Sequence, residues 1–109
     1  PCTPNYASPE QLTNRKRDID HRSDQFTLGI VLAQLLLGGG HPFDPGLVGT
    51  GGSIPENILQ GLWYQQGLLG NCHQSVLALV DRMLGREPYM RFRRYQELGS
   101  AIDSTAGGL

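Results

Sequence analysis

The chain has 109 residues, with eight Arg and one Lys against ten acidic residues, a formal net charge of -1 and a pI near 6.3. That length suits one small domain or a piece of a larger one, with a single core. The near-neutral balance excludes a general attraction to nucleic acid or to an anionic membrane, so neither is expected as a partner.

The chain opens on PCTPNYASPE, with three prolines in ten positions. Each proline removes a backbone donor and fixes φ, so no regular helix or central strand is expected there. The first predicted element covers 23–38, within SDQFTLGIVLAQLLLGGG, with Ser23 or Asp24 as N-cap and Gly38-Gly39-Gly40 as its end. Its apolar residues, Phe26, Leu28, Ile30, Val31, Leu32, Ala33 and Leu35 to Leu37, cover almost the whole helical circumference. That pattern predicts a helix buried on nearly all sides, more than the rest of so short a chain can cover. Gly29 inside it costs about 1 kcal/mol relative to Ala, so close packing against its backbone is expected.

HPFDPG and LVGTGGS then read as a Gly/Pro-rich loop. SIPE offers a capping box, Ser53 with Glu56, opening a short helix over 54–61 that is followed by Trp63 and Tyr64. From 71 to 85 an apolar stripe, Cys72, Val76, Leu77, Leu79, Val80, Met83 and Leu84, predicts another helix ending at Gly85. After the turn REPYMR a last helix is expected over 94–104, with a frayed tail over 105–109. No segment alternates as a strand does, so the fold class is mainly α with long ordered loops.

Candidate chemistry is sparse. Cys2 and Cys72 do not make the disulfide framework of a small secreted domain, which points to an intracellular, cytoplasmic protein with reduced thiols. His21, His41 and His73 are widely spaced and Cys72-His73 are adjacent, so no metal site is expected. No secretory h-region and no run of about 18 apolar residues is present. GGG and GTGG lack the order of a phosphate-binding loop and read as turns. Arg15-Lys16-Arg17 and Arg91/Arg93/Arg94 read as solvated charge, because acids lie nearby. Asp18, Asp20 and Asp44 are loop acids whose partners the sequence does not identify.

The order of four motifs is more informative. CTPNYASPE, DQFTLG, GGHPF and EPYMR resemble the C-terminal lobe of a eukaryotic-type protein kinase, whose pattern runs G-T-x-x-Y-x-A-P-E, D-x-W-S-x-G, G-x-x-P-F and P-x-x-R. Thr3, Tyr6, Pro9, Glu10, Asp24, Phe26, Gly29, Pro42, Phe43, Pro88 and Arg91 fall in register over essentially the whole chain. The resemblance implies a protein kinase-like fold, a partial C-lobe carrying helices F, G, H and I. Residues 1–10 would be the end of the activation segment. Thr3, Pro4 and Tyr6 would then lie in a loop that receives the peptide substrate, Thr3 with a Ser/Thr preference. Glu10 would pair with Arg91 in a buried structural ion pair. Asp24 would anchor the catalytic loop from the start of the central helix. Two departures stand out: Cys2 replaces the family's Gly, and Ser8 replaces the Ala of A-P-E.

The glycine-rich loop, the Lys and the catalytic and Mg²⁺-binding residues of kinases all precede this stretch in the family. The resemblance therefore implies a fragment with no catalytic residue and no cofactor of its own. ATP and Mg²⁺ belong to a parent that supplies the N-lobe and catalytic loop, and the isolated chain is expected to expose apolar surface and to be marginally stable. Its partners would be a protein substrate, those missing kinase segments, and a protein docked at 54–64. The readings left open are an active Ser/Thr kinase parent, a pseudokinase-type binding module, and an unrelated helical domain.

Overall fold

A computed structural model describes residues 4–106, with side chains to Ser104. Among the described residues all regular structure is helical. A 3-10 turn at Pro4–Tyr6 leads into α1 (Pro9–Leu12), and a second at Lys16–Asp18 leads into α2 (His21–Leu36). Then come α3 (Pro45–Val48), α4 (Ile54–Gln60), a 3-10 turn at Gln65–Gly67, α5 (Gln74–Met83), a 3-10 turn at Pro88–Met90 and α6 (Tyr95–Ala106). α2 packs on α5, α5 on α6, and α1 on α4.

Several boundaries differ from expectation, each for a local reason. α1 forms despite the prolines because Pro9 occupies its first position, where a missing N–H costs nothing. α2 begins two residues early. Asp20, not Ser23 or Asp24, is its N-cap, accepting from the Arg22 amide at 2.9 Å. It closes at Leu36, with Gly38 and Gly39 at positive φ just beyond. Asp44 caps α3, unforeseen within the Gly/Pro loop, by accepting from the Gly46 amide. Ser53 caps α4 as its capping box implied, and Gly61 ends that helix at φ +71°. α5 is shorter than 71–85, since His73 takes its N-cap position, while α6 runs through 105–106 of the expected tail. Residues 107–109 lie outside the described residues.

Phe26, Ile30 and Ala33 of α2 meet Phe43, Ile58 of α4, Leu68, and Val80 and Leu84 at the end of α5 in one core. Leu79, Met83, Phe92 and Leu98 form a second cluster beneath α6. Each fully buried large side chain contributes about 1.5–3 kcal/mol. Gly29 makes the α2–α5 contact possible: a Cβ there would stand 3.0 Å from Met83 Cβ and from Leu84 Cδ2. The helix is not wrapped on all sides, however. Leu28, Val31 and Leu35 are 48%, 40% and 74% exposed and share one face with exposed Asp24, at helical spacing. The described residues cover the α2 face that carries Phe26 and Ile30 and leave the opposite one open. No described helix is long and apolar enough to cross a membrane.

Candidate functional site

Glu10 and Arg91, 81 positions apart, meet in the interior with no exposed side-chain surface on either. Glu10 comes from the first turn of α1, and Arg91 from the residue after the Pro88–Met90 turn. The contact is two-pronged. Arg91 Nη1 donates to Glu10 Oε2 at 2.6 Å and Nη2 donates to Oε1 at 2.9 Å, the fork-to-fork geometry of a strong charge-assisted pair.

The surroundings complete it. Ser23 Oγ donates to Glu10 Oε2 at 2.7 Å, so this residue serves the carboxylate rather than a helix cap. Arg91 Nε donates to the Gly85 carbonyl at 2.8 Å, Nη1 to that of Arg22 at 2.9 Å and Nη2 to that of Arg86 at 3.4 Å. The guanidinium also lies 4.9 Å from the centroid of the Phe26 ring. Burial pushes the Glu10 carboxyl up, but hydrogen bonds from Arg91 and Ser23 pull harder, and the net effect lies below its ordinary range. One arginine therefore ties α1, the start of α2 and the α5–α6 turn together. It also removes Arg91 from the surface cluster expected with Arg93 and Arg94, which remain exposed.

The segment before α1 is pinned separately. Thr27 Oγ1 donates to the Tyr6 carbonyl at 2.8 Å, and the Tyr6 hydroxyl donates to Gln34 Oε1 at 3.0 Å. His41 lies within hydrogen-bonding distance of the Asn5 carbonyl through Nε2, at 2.7 Å, and its Nδ1 accepts from the Phe43 amide at 3.1 Å. These partners fix the neutral tautomer with the proton on Nε2. Pro4 is exposed and Tyr6 half-buried, while Thr3 and Cys2 lie outside the described residues. The Asp24 side chain, exposed on the open face of α2, has no hydrogen-bond or ion-pair partner among the described residues.

Because both ring nitrogens are used, protonating His41 must break the hydrogen bond that Nδ1 accepts from the Phe43 amide. Burial drives its pKa below the ordinary 6.5, against the opposing pull of the Asn5 carbonyl and Asp44. The folded state thus binds fewer protons than the unfolded chain below pH 6.5. The stability His41 contributes is complete above 6.5 and declines as pH falls toward its folded value. Urea titrations across that range should show the decline, and His41→Gln, which keeps a donor for Asn5 but does not titrate, should flatten it. His21 and His73 remain in both proteins, so the difference belongs to His41.

Arg15 pairs with Glu87 at 3.0 Å and with Asp18 at 3.6 Å, so the first basic cluster is partly spent on structure. Asp20 likewise pairs with Arg22 at 2.8 Å. Sequence reasoning missed Ser23, Gln25, Thr27, Gln34 and His41, whose roles depend on contacts with distant backbone or side chains. No family model, no curated protein and no solved structure matches this chain.

Proposed function

We propose that this chain is the C-terminal lobe of a eukaryotic-type serine/threonine protein kinase, providing the peptide-substrate loop and the scaffold for phosphoryl transfer to protein Ser or Thr. The observation that carries the reading is the buried Glu10–Arg91 pair. The resemblance requires an acid at the end of the activation segment to meet an arginine far along the chain, and these two residues do. Two further features support it. Pro4 and Asn5 are exposed on a segment that α2 and His41 pin by its carbonyls, as a loop receiving an extended peptide would be. Asp24 stands unpartnered beside Leu28, Val31 and Leu35, the face on which a catalytic loop would rest.

In this reading ATP and Mg²⁺ are held by parent segments, and no residue of 4–106 is assigned to them. The role of this chain in the reaction is positional: it orients the substrate peptide and fixes the catalytic loop through Asp24.

The test uses the longer reading frame that contains these residues, expressed whole. It should transfer phosphate from ATP to Ser and Thr, not Tyr, of a protein substrate. Asp24→Ala should lower kcat by about 10²-fold through misplacement of reacting groups. A folded product with no transfer, lacking H-R-D and D-F-G upstream, would replace this reading with the pseudokinase-type binding module.

A further inference from the structure

The α4–α5 loop and the C-terminal end of α5 enclose an open cleft of about 540 Å³. Its apolar lining comes from Trp63, Leu84 and Met90, and its charged rim from Asp81, Arg82 and Arg86. The charges are not equivalent. Asp81 Oδ1 already accepts from Gln65 Nε2 at 2.7 Å and from Trp63 Nε1 at 3.3 Å, so neutral donors of the loop hold this carboxylate in place, and the rim carries two cations against one anion. Arg82 lies with its guanidinium 4.0 Å from the Phe92 ring centroid, an arrangement that fixes the plane and leaves the fork of N–H donors free. The stem of Arg86 passes Gly61, where a Cβ would stand 3.6 to 3.9 Å from it. Arg15, Arg22 and Arg91 each have a carboxylate partner; Arg82 and Arg86, on the same cleft, have none among the described residues.

We infer that this cleft docks an acidic peptide segment of a partner protein, one of its carboxylates bridging Arg82 and Arg86 and a neighbouring apolar side chain lying on Trp63, Leu84 and Met90. Apolar contact surface set among fixed polar groups is the usual make-up of a specific site, and the excess of two guanidiniums over one carboxylate sets the sign of the ligand. The inference deepens the docking surface expected at 54–64 and does not depend on the kinase reading.

Trp63 is the single tryptophan of the chain, so its emission reports directly on the cleft. The probes are two acetylated, amidated pentapeptides, one alternating Asp or Glu with Leu and one alternating Lys with Leu, titrated into the 109-residue chain. The acidic peptide should change Trp63 emission saturably, with affinity falling as salt rises. Arg86→Glu should weaken it at least tenfold and Arg82→Gln several-fold, with circular dichroism unchanged for the exposed Arg86 variant. The lysine peptide should have no effect. Equal affinity in Arg86→Glu, equal binding of the lysine peptide, or equal competition by inorganic polyphosphate would overturn the assignment, the last by showing a non-selective anion patch. None of these outcomes bears on phosphate transfer by the longer chain.

Discussion

Arg91→Met is expected to remove about 3–5 kcal/mol of stability, because it strands the buried Glu10 carboxylate. That is a large share of the roughly 5–15 kcal/mol available to a small domain. The variant also deprives the carbonyls of Gly85, Arg22 and Arg86 of their donor. Glu10→Gln should cost less, since Arg91 keeps those three acceptors and the amide oxygen still takes one of its bonds. In a double-mutant cycle, Arg91→Met together with Glu10→Leu should cost less than the sum of the single changes. Urea unfolding followed by circular dichroism measures all of them. Additive losses, or an Arg91→Met loss below about 1 kcal/mol, would show that the pair does not hold the fold. The pH dependence has a definite sign as well. Because the folded Glu10 pKa is depressed, its contribution is complete above the ordinary 4.5 and is lost as pH falls through the lower folded value.

Local signals in the sequence located the helices better than they located surfaces. Ser53 with Glu56, and the apolar stripe of Val76, Leu79, Val80 and Met83, act over one or two turns, and α4 and α5 follow from them. The start of α2 went wrong because Asp20, Ser23 and Asp24 are all competent caps. Only the tertiary structure gives Ser23 to Glu10 and leaves Asp20 to the helix. Apolar residues all around α2 predict a helix buried on nearly all sides, whereas one face of it stays exposed among the described residues. Periodicity could not say that the open face would be that of Leu28, Val31 and Leu35. Glu10 and Arg91 could be matched through motif order alone, since nothing within ten residues of either signals the other. Thr3 lies outside the described residues, so its expected place at the substrate loop stays with the resemblance.

The segment from Asn5 to Glu10 is held at both ends by independent devices. Arg91 fixes its C-terminal end through a bidentate pair, and Thr27 and His41 fix its N-terminal end through two carbonyls. A short segment restrained in this way loses little further conformational freedom when a peptide lies along it. On the proposed function, that is the physical value of the clamp. Binding energy from the substrate peptide need not be used to order the loop that receives it.

Gln25→Leu is the second change expected to be severe, although a glutamine inside a helix looks replaceable from sequence. Gln25 is buried, and its Oε1 accepts from the Phe92 amide at 2.8 Å while its Nε2 donates to the Phe92 carbonyl at 2.9 Å. Leucine is similar in size but strands both backbone groups, at about 1–3 kcal/mol each. Gln25→Glu separates the two bonds. Its carboxylate still accepts from the amide but opposes the carbonyl, and burial raises its pKa. Its deficit relative to wild type should therefore shrink as pH falls and the neutral acid regains a donor. A deficit that stays constant with pH would mean that the lost packing, not the paired hydrogen bonds, accounts for the cost. Phe92 directly follows Arg91, so Gln25 sets the position from which the guanidinium reaches Glu10. Gln25→Leu and Arg91→Met should accordingly be less than additive, as expected of two residues that serve one junction.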